Sequence, residues 1–256
     1  MNEYAKLKIV NSHLDYDNVS LIKPSAHYFL HIAVEVDNPG LTPFFIFDSP
    51  LKKKVIKKSK AFCAKLLSEH HVVEANVFKA TLIPPGRSKL VAEKKDIVNI
   101  AKYDIAILIE VDSKEKLLAI QNDASFKEMI SFLSKNSNRV HQIAASNARR
   151  IGAVDHTTQG VFLFNYFYAE DVEQNLEVWN YTAGWFEKET DLDNSTLFLP
   201  LKKDDSDYAV INHCRWDRLA DIIPSLLFKS TFKKYVLDNF YENNVGAMPI
   251  LYRVVK

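Results

Sequence analysis

The chain repeats itself. Residues Asp207 to Leu237, DYAVINHCRWDRLADIIPSLLFKSTFKKYVL, have a counterpart in Tyr103 to Leu133, YDIAILIEVDSKEKLLAIQNDASFKEMISFL. Each begins with a β-rich run, passes an aspartate (Asp217, Asp112), and enters an apolar-periodic segment holding a small hydroxyl residue, Phe and Lys. Those trios are Thr231-Phe232-Lys233 and Ser125-Phe126-Lys127. A unit used twice builds the same local structure twice and must then bury both copies together.

The rest of the sequence falls into place around this pair. Tyr28 to Val36, YFLHIAVEV, predicts a strand ending at the turn cluster Asp37-Asn38-Pro39-Gly40. Pro50 to His70 predicts a helix, from the leading Pro and the spacing of Leu51, Val55, Phe62 and Leu66, and it carries seven lysines between Lys52 and Lys65. Val72 to Ile83 reads as a strand closed by Pro84-Pro85-Gly86, followed by a polar connector from Arg87 to Lys102. Tyr103 to Val111 is a strand, Lys114 to Asn136 a helix in two pieces, and Arg139 to Ile151 a further strand. After the linker Gly152 to Gly160 the order recurs. Val161 to Tyr168 matches Tyr28 to Glu35 through a shared Phe-Leu pair, and Glu170 to Glu189 is helical with Val172, Leu176, Trp179, Ala183 and Phe186 on one face. Strands Leu192 to Leu201 and Tyr208 to Trp216 follow, then a helical region from Asp217 to Asn243 broken or kinked at Pro224. Val245 to Val255 closes the unit, with Tyr252-Arg253-Val254-Val255 resembling Ala148-Arg149-Arg150-Ile151. The expected domains are a first unit over residues 27–152 and a second over 160–256. Residues 1–26 form an N-terminal extension that could add an edge strand.

Two successive β-α-β-β-α-β units are the ferredoxin-like pattern. Each sheet has helices on one face, so its other face needs a second cover. The expected fold is therefore α+β: two tandem ferredoxin-like units whose antiparallel sheets pack together as an α/β barrel within one chain. On Phe164-Asn165-Tyr166-Phe167, Cys214-Arg215-Trp216 and Phe232-Lys233, the second half resembles the antibiotic biosynthesis monooxygenase branch of the dimeric α/β-barrel superfamily. The resemblance spans residues 161–255 and extends more loosely over 28–151.

Composition narrows the partners. Lys plus Arg total 33 against 32 Asp plus Glu, so no global field favours nucleic acid or anionic lipid. Two cysteines, Cys63 and Cys214, fit a reducing compartment rather than a disulfide framework, and no apolar run reaches the length of a membrane span. The expectation is a cytoplasmic protein, with a homodimer possible through free sheet edges. Six glycines form neither GxGxxG nor GxxxxGK[ST], which argues against nucleotide chemistry. His70-His71, His141 and His156 lack ligand spacing, so no metal is expected. The lysine-rich stretch 52–65 could meet an acidic partner or be plain solvated charge.

Candidate chemistry lies where the copies differ. The second has Asn165 where the first has Ile32, and Asn212-His213-Cys214-Arg215-Trp216 where the first has Ile107-Leu108-Ile109-Glu110-Val111. Burying such polar groups is costly unless they are bonded. The resemblance implies a pocket between the sheet and helices of the unit, as in heme degraders and in cofactor-independent monooxygenases of aromatic polyketides or quinols, with Asn165 and Trp216 at the positions that line it in the heme degraders. It implies heme only weakly, because Asp217 to Asn243 has no axial histidine. Strand alternation sends His213 and Arg215 to the opposite face from Asn212 and Trp216. There they could serve as general base and anion clamp, or as a buried polar pair bridging the repeats. Trp179, Tyr181, Trp185, Phe232 and Tyr235 could line a flat ligand or be ordinary core. Three functions stay open: a binder of a hydrophobic or aromatic small molecule with monooxygenase-like activity and no organic cofactor; a non-catalytic binding or assembly protein; and a heme protein with His213 or another histidine as axial ligand.

Overall fold

A computed structural model describes residues 7–37, 43–45, 47–84 and 88–256. Of the two predicted turn clusters, Asn38-Pro39-Gly40 and Pro85-Gly86 lie outside the described residues.

The first unit runs β1 (Tyr28–Glu35), α1 (Pro50–Glu69), β2 (Glu74–Leu82), α2 (Lys89–Glu93), β3 (Ile105–Val111), α3 (Lys114–Asn122), α4 (Ala124–Lys135) and β4 (Arg139–Gly152). The second runs β5 (Val161–Ala169), α5 (Val172–Thr190), β6 (Ser195–Pro200), β7 (Val210–Trp216), α6 (Leu219–Phe228), a π-helical turn (Phe232–Leu237), α7 (Asp238–Glu242) and β8 (Val245–Val254). Local chemistry sets the helix starts. Ser49 accepts from the Lys52 amide ahead of Pro50, and Asp171 accepts from the Gln174 amide.

The eight strands form one closed antiparallel barrel in the order β1-β3-β2-β8-β5-β7-β6-β4. The two sheets therefore meet face to face across the lumen and also join edge to edge, through β2 with β8 and β4 with β6. Closure leaves no strand edge open for a second copy to extend.

Pairing register reproduces the internal repeat residue by residue. Ile32 faces Ile107 and Phe29 faces Glu110 in the first unit; Asn165 faces Asn212 and Phe162 faces Arg215 in the second. The last strands need a correction. Ala145 pairs with Phe29 as Tyr252 pairs with Phe162, so Tyr252 corresponds to Ala145 and not to Ala148. Two bulges in β4, between Asn147 and Arg149 and between Arg150 and Gly152, break the register after Ala145.

Alternation divides the apolar residues into an inner and an outer set. Phe29, Phe78, Leu108, Phe162, Phe164, Tyr166, Phe198, Ile211 and Tyr252 fill the lumen. Ile32, Ile107, Val77, Phe62, Leu117 and Phe126 form the first unit's sheet–helix layer, while Phe167, Trp179, Leu197, Tyr235 and Phe240 form the second's. The connector after Ile83 is more than a polar loop. It carries α2, and its Val91, Val98, Ala101 and Tyr103 join the luminal core at one barrel end. The helical region after Asp217 breaks at Lys229, with Pro224 accommodated inside α6.

Among its described residues the N-terminal segment makes no extended edge pairing. One bridge joins Ile22 to Arg150, and Lys8 and Val10 donate backbone N–H groups to Asn243 and Asn239 on the second unit's helices. Among the described residues no helix is long and apolar enough to cross a membrane.

Candidate functional site

The polar substitutions of the second copy fall on both faces of its sheet, as alternation requires. Asn165, Asn212 and Trp216 point to the helices; His213 points into the lumen. Between the sheet, α5 and the segment after α6 lie two small cavities. One, of about 40 Å³, is bounded by Asn165, Asn212, Trp216, Trp179, Ser195 and Phe240. The other, of about 50 Å³, is bounded by Asn165, Ile222, Phe232, Val236, Phe240 and Pro249. Leu163, Asn165, Phe186 and Phe240 belong to both walls.

Asn165 is the feature that sets this layer apart from its copy. Its Oδ1 is buried with no hydrogen-bond partner, at a place where the first unit packs Ile32 at 0% exposure. A buried unpaired amide costs about 1–3 kcal/mol. On α5, Asn175 and Asn180 also bury unpaired amide atoms, but neither lines these cavities; the other polar side chains of the cavity walls are committed. Asn212 Oδ1 accepts from Ser195 at 2.5 Å, and the Trp216 indole N–H donates to Thr190 Oγ1 at 3.1 Å, tying the strand end to the last residue of α5. Trp216 thus offers a ligand its ring and no free donor. Thr182 donates to the Val178 carbonyl, and burial pushes the Cys214 thiol far above its ordinary value, so it stays protonated. Cys63, in the first unit, is buried and pushed up to about 12. Among the described residues, neither cavity is lined by a carboxylate or an imidazole.

The remaining sequence candidates separate. Trp179 and Phe232 each line one cavity. Tyr181, Trp185 and Tyr235 line neither: Tyr181 and Tyr235 stack at 4.8 Å, and the Trp185 N–H donates to Thr231 Oγ1 at 3.0 Å. These three, with Tyr16 of the N-terminal segment, hold α5 to the π-helical turn.

His213 is 1% exposed in the lumen, stacked on Phe164 at 4.1 Å. Its Nδ1–H donates to the Leu163 carbonyl at 2.9 Å, and its Nε2 meets His156 Nε2 at 2.9 Å. Burial first, and His156 second, push its pKa well below the ordinary imidazole value. Arg215 sits at the barrel rim, paired with Asp217 and donating to the Gln159 carbonyl. His156, Glu74 and Lys52 escaped sequence reading as site residues. Lys52, amid the lysine-rich run, turns inward at 0% exposure to meet Asp104 and Asp48 at 3.1 and 3.2 Å. No pattern in the run distinguishes it from the other lysines.

A heme does not fit these residues. No histidine faces the sheet–helix cavities, and both nitrogens of His213 already have partners in the lumen. Among the described residues no group of three or more His, Cys, Asp or Glu side chains is placed to hold a metal ion.

The fold is a tandem ferredoxin-like α/β barrel closed within one chain, and solved structures share it. An anthrone oxidase-like protein superposes with a TM-score of 0.60 at 11% identity, over 93% of this chain and 95% of that one. A provisionally named monooxygenase from Fusobacterium nucleatum gives 0.53 at 7% identity, over 91% and 94%. A chlorite dismutase from Candidatus Nitrospira defluvii gives 0.49 at 10% identity, over 91% and 92%, too slight a likeness to bear on this chain's chemistry. No family model matches the chain, and no curated protein matches its sequence.

Proposed function

We infer that the second unit binds a small, largely apolar or aromatic molecule between its sheet and helices, with the Asn165 amide as its polar contact. The unpaired Asn165 Oδ1 at the wall shared by two cavities carries this reading. A ligand hydroxyl donating to that oxygen removes its desolvation penalty. Each cavity holds a few waters' worth of space. An aromatic ring needs the two joined, by movement of the Phe186 and Phe240 side chains between them. The outer wall is suited to such movement, since it is built from a proline-containing α6 and a π-helical turn, where regular helical hydrogen bonding is interrupted.

Within this reading, the finer proposal is cofactor-independent oxygenation of a quinol or hydroxylated aromatic. The anthrone oxidase-like fold neighbour supports it, and Asn165 would hold the ring oxygen as negative charge develops there. One observation favours binding without chemistry: the walls supply no general base, so a substrate would have to arrive already ionised. Native mass spectrometry of the purified protein, thermal shifts with hydroquinones and hydroxyanthracenes, and oxygen uptake with the same panel separate these readings. Saturable binding lost in Asn165→Leu supports the site; oxygen uptake that also disappears in that variant supports the oxygenase. Binding unaffected by Asn165→Leu overturns the assignment.

A further inference from the structure

The end of the barrel opposite Val91 opens into a further cavity, of about 210 Å³, which shares no lining residue with the two cavities beside Asn165. Phe29, Leu108, Phe198 and Val154 give it an apolar floor, and Arg150, Glu74, Glu110 and His156 line it with charge. The site exists because three separate parts of the chain converge. Glu74 begins β2 of the first unit, His213 lies on β7 of the second, and His156 comes from the linker that crosses between them. Asp155 fixes that crossing by accepting from the Thr157 amide at 2.8 Å and its hydroxyl at 2.6 Å.

Proton bookkeeping defines the state of the cluster. The Nδ1–H of His213 is committed to the Leu163 carbonyl, so the neutral ring has a lone pair on Nε2. The 2.9 Å contact with His156 Nε2 therefore requires a proton from His156. The 2.5 Å contact between His156 Nδ1 and Glu74 Oε2 requires another proton between those two atoms. Two neutral imidazoles and a carboxylate are one proton short. The cluster holds that extra proton either as a His156 imidazolium beside the Glu74 carboxylate or as a neutral His156 beside the Glu74 acid. Losing it sets two lone pairs against each other at one of the contacts.

The charges facing this cluster from every side decide what it can receive. Glu110, directly across from Glu74 on β3, is paired with His27 Nδ1 at 2.6 Å. Glu74 is paired with His156 and also accepts from Asn76. His31 on β1 lies farther down the lumen and is neutral, and Arg215 on β7 is paired with Asp217. Arg150 differs from all of these. Its Nε donates to the Lys23 carbonyl, and among the described residues no carboxylate pairs with it. Both carboxylates of the cavity are thus answered by histidines, while its guanidinium is not.

We propose that this barrel mouth is a binding site for a small organic carboxylate with an apolar body, anchored by the Arg150 guanidinium beside the hydrogen-bonded Glu74–His156–His213 chain.

The test uses full-length protein with benzoate as probe and acetate as the body-less comparison, followed by calorimetry at one fixed pH. Expected results are saturable benzoate binding, acetate weaker by about tenfold, and loss of about tenfold or more in Arg150→Gln. Ring ¹⁵N spectra of the unmutated protein give a readout that survives any folding defect in the variant: His213 should be protonated at Nδ1 throughout, with His156 signals moving on benzoate addition. Absence of saturable benzoate binding, binding equal in Arg150→Gln, or a His156 ring unmoved by benzoate would each overturn the proposal.

Discussion

Replacing Asn165 by leucine puts the central feature of the second unit to a thermodynamic test. In the ligand-free protein the amide oxygen is buried and unpaired, so it lowers stability by about 1–3 kcal/mol relative to an apolar side chain of similar shape. Leucine removes that penalty and turns branched methyl groups toward cavities of about 40 and 50 Å³. Asn165 is not fully buried, so the lower half of the range applies, and the expected gain is about 1–2 kcal/mol. In a chain of this length that raises the midpoint of thermal unfolding by roughly 2–8 °C. Urea unfolding followed by tryptophan fluorescence is well suited, because Trp179, Trp185 and Trp216 all belong to the second unit. The reciprocal change, Ile32→Asn, places the same amide in the tightly packed first copy and should cost about 3 kcal/mol or more through lost packing and an unmet polar group. A gain in one unit against a loss in the other is the signature of an amide retained for a ligand. Destabilisation by Asn165→Leu of more than about 1 kcal/mol would show that the amide is already satisfied in the free protein, and would refute the reasoning.

Other perturbations address the supporting structure. Burial holds His31 at about 3 and His141 at about 4, with His213 also well below the ordinary value, so all three are neutral in the fold and gain protons on unfolding. The unfolded chain then binds more protons below the ordinary imidazole pKa of about 6.5. Stability is therefore full above it and falls with pH by up to about 1.4 kcal/mol per unit for each histidine. Urea midpoints between about pH 7 and about pH 5 check this, and a flat profile would contradict it. Trp216→Phe loses the bond to Thr190 and part of a ring, and should cost about 1–3 kcal/mol by the same unfolding assay while enlarging the adjacent cavity. Lys52→Met leaves Asp104 buried without its cation and should cost about 3–5 kcal/mol; adding Asp104→Asn should recover part, since it removes the unpaired charge while its one amide oxygen can still accept from the Val36 N–H. Gly184→Ala drives a methyl group into the Asp17 carbonyl, so hydrogen exchange near residues 14–18 should speed up while α5 itself is unweakened.

The fold was legible because it depends on properties that a sequence displays locally. Strand alternation, caps such as Ser49 and Asp171, and the repeated Phe-Lys segments all act within a few residues, and a duplicated unit states the architecture twice. Alternation also put Asn212 and Trp216 on one face and His213 on the other, and the cavities they line lie on those two faces. What stayed hidden depends on side-chain conformation and on chain crossing. Tyr181, Trp185 and Tyr235 carry the right chemistry for a ligand wall, yet their ring planes and donors are spent on joining α5 to the π-helical turn. Trp216 lines the cavity with its ring alone, because Thr190 lies within reach of its N–H at the helix end.

His156 shows the limit most clearly. In sequence it is one residue of a turn-rich linker, remote from both Glu74 and His213 and without any ligand spacing to either. Barrel closure brings the end of β4 and the start of β5 to the same rim, so the linker must cross the mouth, and the Asp155–Thr157 turn fixes where its imidazole lands. His213 became identifiable because it breaks an internal pattern, standing where the first copy has Leu108. His156 breaks none, since linkers have no counterpart in the repeat. Tandem duplication therefore exposes polar changes within the copied strands, and the residues that join the copies are found only once the strands are closed into a barrel.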